Sequence, residues 1–163
     1  PHNAGLTSTW NYKGLELQVF GVLSTGNFIY NNARLNLENS QYTSSGFARN
    51  GLNAWTTPGQ ITNFPTLDEL TEGNTTRFLE SGDFFRLRNV QLAYSLPKSV
   101  IQKLKLQGFR VFVQGQNLYT KFKFQGWDPE VSSVVDSDGT NASVSGAQYP
   151  TMKRVTFGFN VTF

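Results

Sequence analysis

Apolar and polar residues alternate with a period of two at the end of the chain. Val155, Phe157, Phe159, Val161 and Phe163 fall on one side of this segment, and Arg154, Thr156, Gly158, Asn160 and Thr162 fall on the other. An earlier segment repeats the pattern, with Phe109, Val111 and Val113 on one side. A period of two indicates β-strands that have one apolar face.

The alternation predicts about five strands, at roughly 4–12, 15–23, 83–96, 108–119 and 151–163. Lys13 and Gly14 separate the first two strands, which predicts a tight hairpin turn. In the third strand the phase slips near Arg88 and Asn89, so we expect a β-bulge there.

The predicted connections alternate between long and short. Two long loops, at about 24–82 and 120–150, enclose a short turn at about 97–107. Long loops on one side and short turns on the other are typical of outer-membrane barrels. The apolar spacing after Pro97 predicts a turn or two of helix, either a small cap over a barrel rim or a helix that binds a membrane surface or a partner.

Composition favours contact with lipid. Aromatic residues make up 14% of the chain and charged residues 15%, whereas about 25% of a typical soluble domain is charged. A soluble β-sandwich also alternates, but an aromatic residue at Phe163 fits the interfacial girdle of a membrane barrel better. We therefore predict an all-β fold, a membrane-spanning antiparallel β-barrel. Single-chain bacterial barrels have at least about eight strands, so the other strands are expected upstream.

The sequence gives little support for a catalytic, metal-binding or nucleic-acid-binding site. The net charge of +3 is scattered, so no nucleic acid is expected as a partner. Cysteine is absent and His2 is the only histidine, which excludes thiolate and multi-histidine sites within the chain and leaves Ser-His-Asp catalysis unsupported. The acidic pairs Asp68/Glu69 and Asp128/Glu130 are expected to be solvated, and Asp136 to Gly139 to form a turn rather than a calcium loop. We expect no catalytic site, no metal site and no cofactor, and no enzymatic activity.

Several motifs carry a family resemblance. The pattern of Thr156, Gly158, Val161 and Phe163 resembles the C-terminal signal that directs barrel assembly in the outer membrane. Longer matches lie at 78–90, 94–97, 110–118, 126–130 and 149–150, where 126–130 reads Gly-Trp-Asp-Pro-Glu. Together these segments resemble the C-terminal region of the SusC/RagA family of TonB-dependent transporters, with residues 24–72 the least similar.

The resemblance implies a fold and a function. Residues 1–163 would form the C-terminal part of one large, plugged barrel domain of the 22-stranded type. Such a barrel imports oligosaccharides or oligopeptides through the outer membrane of Gram-negative bacteria, with a SusD-like surface lipoprotein as its lid. The plug and the N-terminal region that engages the TonB complex would lie upstream, and the C-terminus would lie on the periplasmic side. The alternatives are a secreted β-sandwich, such as a carbohydrate-binding module, and an outer-membrane barrel enzyme.

Three groups of residues receive provisional roles. The residues expected to face lipid are Val155, Phe157, Phe159, Val161, Phe109, Val111 and Val113. The residues expected to shape the second long loop are Gly126, Asp128, Pro129 and Glu130. Aromatic residues of the first long loop either contact substrate or the lid protein, or pack the loop onto itself; they are Trp55, Phe64, Tyr42 and Phe47.

Overall fold

A computed structural model describes residues 1–38, 49–66, 75–103, 105–130, 134–135, 142–144 and 149–163. The chain forms two compact units. The first, the strand unit, comprises Pro1–Asn27, Gly82–Lys123 and Pro150–Phe163. The second, the loop unit, comprises Phe28–Ser81 and Phe124–Tyr149.

The strand unit is one antiparallel sheet of five strands. Its order is β1 (His2–Tyr12), β2 (Leu15–Thr25), β5 (Phe84–Ser95), β6 (Gly108–Phe122) and β9 (Arg154–Thr162). Each predicted strand overlaps one of these five. The turn between β1 and β2 consists of Lys13 and Gly14, both with positive φ (46° and 84°), as a two-residue hairpin with the favoured twist requires.

Strand register separates the side chains into two chemically different faces. One row across all five strands consists of Trp10, Leu17, Leu92, Val113 and Phe157. The adjacent row consists of Thr9, Gln18, Gln91, Gln114 and Thr156. Because directly paired residues of antiparallel strands point the same way, the first row belongs to an apolar face and the second to a polar face.

The predicted bulge at Arg88 is confirmed. Phe20 pairs with Asn89 while Gly21 pairs with Leu87, so β5 contains one extra residue relative to β2. The extra residue brings Leu87 and Phe85 onto the same face as Val90. A second irregularity follows in β6, where Asn117 has φ 52°. The apolar face therefore continues along the whole strand despite the phase slip in the sequence.

The predicted short helix is also present, as α2 (Lys98–Lys103) between β5 and β6. The carbonyl of Pro97 accepts hydrogen bonds from the backbone N–H groups of Val100 and Ile101. Proline suits this position because it lacks an N–H that the first turn would leave unbonded. Ile101 is buried, which fits a cap packed on the end of the sheet better than an exposed binding helix.

The two long loops contain regular structure that the sequence did not indicate. The loop unit has a sheet of order β4 (Leu79–Ser81), β3 (Phe28–Asn31), β8 (Ala142–Val144) and β7 (Val134–Val135), and β3 leads directly into α1 (Asn32–Glu38). Two 3₁₀-helices span Arg49–Asn53 and Thr76–Phe78. The first loop is also shorter than predicted, because β2 continues to Thr25.

The loop unit has the only extensive apolar core among the described residues. Phe78, Ile29, Phe64 and Phe124 are each at least 94% buried there. Exposed large apolar side chains occur in both units, but in the strand unit they cover one continuous face, where Phe157 is 78% exposed. The two units therefore differ in their cores rather than in whether apolar side chains are exposed.

A close cross-strand contact explains one glycine of the terminal strand. Gly158 pairs with Phe112, and a Cβ atom built on Gly158 would lie 2.4 Å from Cζ of that phenylalanine. The Phe112 ring thus covers the glycine, an arrangement that protects an otherwise bare stretch of sheet.

We predict that Gly158→Ala destabilises the folded protein by about 1 to 3 kcal/mol, because the Phe112 ring must move out of a packed position. Gly108→Ala on the same strand pair is the matched control, since its Cβ would meet Thr162 at an ordinary 3.4 Å. The measurement is the free energy of unfolding of the full-length protein. Adding Phe112→Leu should restore much of the loss, and a double variant no better than Gly158→Ala would contradict the packing explanation.

Candidate functional site

The residues expected to face lipid all lie on the apolar face of the strand unit. Val111 pairs with Phe159 and Phe109 with Val161, which places the members of both strands side by side. Phe157 and Phe159 are 78% and 69% exposed, and the rings of Phe109 and Phe159 are stacked with centroids 6.3 Å apart. None of the predicted residues is buried in a core between two sheets, as a β-sandwich would require.

The apolar face is also free of charge over most of its height. From the row of Tyr12 to the row of Leu87, the residues in register on the five strands include no Asp, Glu, Lys or Arg on this face. Arg88 is the extra residue of the bulge and belongs to neither face's rows. The next row holds Lys121, opposite Phe85. A contiguous exposed apolar surface of this extent marks contact with a membrane or another protein.

The polar face is organised by side-chain hydrogen bonds. Arg110 donates to the carboxylate of Glu16 from two strands away, and Gln114 Nε2 donates to Asn89 Oδ1 at 2.6 Å. Arg86 is 1% exposed on this face, with its guanidinium 5.6 Å from the centroid of the Phe84 ring. Such a face suits a hydrated interior, where polar side chains remain in contact with water or protein.

The residues of the proposed assembly signal are divided between the two faces. Thr156 and Gly158 lie on the polar face, and Val161 lies on the apolar face opposite Phe109. Phe163 follows the last residue of β9 and is 84% exposed.

The Gly-Trp-Asp-Pro-Glu segment forms a compact turn in the loop unit. Asp128 is buried, and its Oδ1 accepts a hydrogen bond from the Glu130 backbone N–H at 3.0 Å. Pro129 is buried beside it. Gly126 is covered by the buried ring of Phe124, whose Cε1 would lie 2.1 Å from any Cβ at this position. These contacts agree with a structural role, because the polar groups of the turn bond to each other.

The aromatic residues of the first long loop have different environments. Phe64 is 6% exposed, so it packs inside the loop unit, whereas Trp55 is 40% exposed. The backbone N–H of Trp55 donates to the Phe64 carbonyl at 3.0 Å. Tyr42 and Phe47 lie outside the described residues, as do Asp68, Glu69 and the Asp136–Gly139 segment.

The loop unit contains a group of charged residues that the sequence did not single out. This ion-pair cluster consists of Arg34, Glu38, Arg77 and Glu80. Glu38 is 3% exposed; its Oε1 accepts from Arg34 Nε at 2.7 Å, and its Oε2 accepts from Arg77 Nη2 at 2.8 Å. Arg34 Nη1 also donates to Glu80 Oε1 at 3.2 Å.

Further contacts fix the ion-pair cluster. Glu80 Oε2 accepts from the Gln125 backbone N–H at 2.7 Å, and the guanidinium of Arg77 lies 5.3 Å from the centroid of Phe64. Burial alone lowers the pKa of Arg34, but hydrogen bonds and charge from Glu38 and Glu80 outweigh it and raise the pKa above its usual value. Arg34 therefore remains charged at any physiological pH.

No local sequence signal could have identified the whole cluster. Arg34 and Glu38 have the i, i+4 spacing of a helical ion pair, but the predicted loop at 24–82 left no helix on which to place them. Their partners Arg77 and Glu80 lie about forty residues later. Long-range pairing of this kind depends on the fold of the loop unit.

No helix in the described ranges is long and apolar enough to cross a membrane. Within the same ranges, no three His, Cys, Asp or Glu residues are grouped closely enough to hold a metal ion.

Comparison with known proteins identifies the family. No family model matches the chain. TonB-dependent receptor P3 of Formosa agariphila is 30% identical over 162 residues, which is 98% of this chain and 16% of that protein. TonB-dependent receptor SusC of Bacteroides thetaiotaomicron is 29% identical over 135 residues, covering 82% of this chain and 13% of that protein.

A solved structure agrees with these sequences. The RagAB peptide importer in its closed-closed state superimposes on 99% of this chain and 17% of its own, with a TM-score of 0.81 and 29% identity. The chain thus spans about one sixth of the relatives it matches. The predicted fold class is confirmed, since the antiparallel sheet matches part of this barrel fold, although five strands do not close a barrel. The chain therefore belongs to the SusC/RagA family of TonB-dependent transporters and corresponds to a C-terminal portion of such a protein.

Proposed function

We propose that this chain forms part of the barrel wall of an outer-membrane importer for oligosaccharides or oligopeptides. The importer works with a SusD-like surface lipoprotein as its lid and takes its energy from the TonB complex through an N-terminal region upstream. The names of the relatives support this proposal, since they include TonB-dependent receptors and a peptide importer.

The exposed apolar face carries the proposal. The height is counted on β2, which has no bulge: the face extends over eight residues from Leu15 to Leu23, and the row of Phe109 and Val161 adds two more, with Lys121 in the last row. At ~3.3 Å per residue these ten positions span ~33 Å along the strand, and a tilt of ~40° reduces the distance to ~25 Å. That value matches the height of the apolar band on an outer-membrane barrel. Leu, Val and Phe side chains of β2, β5, β6 and β9 would contact lipid, and the polar face would line a hydrated interior.

The lengths of the connections support an orientation. The loop unit lies in the two long connections, which are extracellular in outer-membrane barrels, whereas short turns are periplasmic. The Lys13–Gly14 turn, α2 and Phe163 would then lie at the periplasmic end. Thr156, Gly158, Val161 and Phe163 would act in assembly there. The turn formed by Gly126, Asp128, Pro129 and Glu130 would shape the extracellular surface without taking part in chemistry.

Cell fractionation of the full-length protein tests the proposed function. We expect the protein in outer membranes, extractable only with detergent and migrating faster on SDS gels when unboiled. Deleting its gene should abolish growth on at least one oligosaccharide or peptide mixture that also requires TonB. A soluble protein whose migration does not depend on boiling would favour the secreted β-sandwich and contradict the proposal.

The two faces of β9 should tolerate charge differently. We predict that Phe157→Arg lowers the free energy of unfolding from lipid vesicles by about 2 to 4 kcal/mol, because an arginine near the middle of the bilayer loses its hydration. Thr156→Arg, the matched control on the adjacent residue, should have a small effect because its side chain stays in water. Equal losses for the two variants would show that the faces are not divided between lipid and water.

The ion-pair cluster should hold the loop unit together. We predict that Glu38→Gln lowers the local stability of this unit by about 3 kcal/mol, because it leaves two arginines without their buried carboxylate. Hydrogen exchange of the loop-unit amides measures this. Glu16→Gln is the control: its partner Arg110 and Glu16 itself are about one-third exposed, so that pair contributes about 1 kcal/mol or less. Unchanged exchange in Glu38→Gln would contradict a structural role for the cluster.

A further inference from the structure

A cavity of about 240 Å³ opens beside the ion-pair cluster in the loop unit. Its walls include the charged side chains Arg34, Glu38 and Arg77, the amides of Asn53 and Asn63, and the ring of Phe64. Pockets for drug-sized ligands have volumes of roughly 300 to 1,000 Å³, so this one suits a single sugar or amino acid residue. The combination of an aromatic wall with several polar groups is typical of sites that fix a ligand's orientation.

The carboxylate in the cavity wall is already occupied. Both oxygens of Glu38 accept hydrogen bonds, Oε1 from Arg34 and Oε2 from Nε and Nη2 of Arg77. Outside the cavity wall, Glu80 is similarly engaged by Arg34, Asn31 and the backbone of Gln125. The carboxylates at the cavity therefore have little remaining capacity to accept hydrogen bonds from a ligand.

The guanidinium groups of the wall, by contrast, have more hydrogen-bond donors than the bonds within the cluster use. Arg34 uses Nε and Nη1, and Arg77 uses Nε and Nη2, for the bonds within the cluster. Neither Arg34 Nη2 nor Arg77 Nη1 donates a hydrogen bond to any other residue in the described part of the chain. The two side chains are 25% and 27% exposed, so these groups can reach a ligand. The net charge of +1 on the three charged residues of the wall is offset by Glu80, which bonds to Arg34, so these two donors rather than net charge favour an anion.

The arginines are also held in place before any ligand arrives. Arg77 lies between contacts with Phe64 and Phe78, whose ring centroids are 5.3 and 5.7 Å from its Cζ. Arg34 lies 5.7 Å from the Phe78 centroid and is fixed by two carboxylates. A guanidinium that is already ordered loses less conformational entropy when it binds an anion, and its planar fork matches a carboxylate.

We propose that this cavity binds one carboxylate-bearing residue of the imported oligomer, through Arg34 Nη2, Arg77 Nη1 and the amide of Asn63. The inference rests on the proposed import function and narrows its substrate to an acidic oligomer. The carboxylate belongs either to a uronic acid or to an acidic amino acid, and Phe64 forms the apolar wall beside it.

Ligand titrations on the full-length importer in detergent test the chemistry. The probes are methyl galacturonoside and its methyl ester, and N-acetylaspartate amide and its asparagine counterpart, observed by saturation-transfer NMR. We expect at least one acid to bind while its neutral counterpart does not, and the acid that binds identifies the source of the carboxylate. Equal signals from acids and neutral counterparts, or no signal from any probe, would overturn the proposal.

Variants locate the binding within the molecule. Arg77→Gln should weaken binding of the preferred acid about tenfold or more. Asn63→Ala should weaken it less, and this variant leaves the ion-pair cluster intact because Asn63 is exposed and makes no bond to the cluster residues. Arg49→Gln, an exposed arginine of the same unit outside the cavity wall, is the matched control and should bind as the unaltered protein does.

Failure of this inference is separable from failure of the import function. Unaltered acid binding in both Arg77→Gln and Asn63→Ala would show that the carboxylate binds elsewhere and overturn the proposal. The outer-membrane location and heat-dependent migration are measured on the same preparations. If both are observed while the cavity variants bind the acid normally, the cavity assignment is wrong and the proposed import function is unaffected.

Discussion

Backbone hydrogen bonding is the constraint on which the strand unit depends. In hydrocarbon every N–H and C=O group must be bonded within the protein, because no water replaces a missing partner. The register of β2, β5 and β6 meets this condition on both sides of each strand. Strands β1 and β9 are the two edges of the sheet, so each needs a further strand in the complete barrel. The period of two then follows, since a strand paired on both sides can only divide its side chains between two faces.

The loop unit differs in having a cluster of buried apolar side chains, Phe78, Ile29, Phe64 and Phe124. Glu38, its most buried acidic residue among those described, is compensated by two arginines whose guanidinium groups also lie against aromatic rings. A small sheet in water has little apolar area to bury, so bonds such as those of Glu38 are needed to define one arrangement. The same bonds leave guanidinium N–H groups facing a cavity, so one cluster serves both the stability of the loop unit and its proposed recognition of an anion.

The sequence predicted the elements whose signals are local. Nine to fifteen residues of alternation revealed each long strand, a phase slip at Arg88 revealed the bulge, and Pro97 with its spacing revealed α2. It could not predict β3 and β8, since strands of four and three residues show no readable period and their parallel pairing joins Ile29 to Ala142. The ion-pair cluster could not be predicted either, because its members are far apart in the sequence. For Phe64 the sequence left open surface contact or packing within the loop; its side chain is buried beside Arg77, which agrees with packing.

Spin labels along β9 of the full-length importer in membranes test the central claim most directly. Collisions with oxygen, which dissolves in lipid, are compared with collisions with a water-soluble nickel chelate at positions 155, 156, 157, 159 and 160. Lipid-facing Val155, Phe157 and Phe159 should collide mainly with oxygen, and Thr156 and Asn160 mainly with nickel. Loss of this alternation, or protection of positions 157 and 159 from both reagents, would contradict a sheet with one face in lipid.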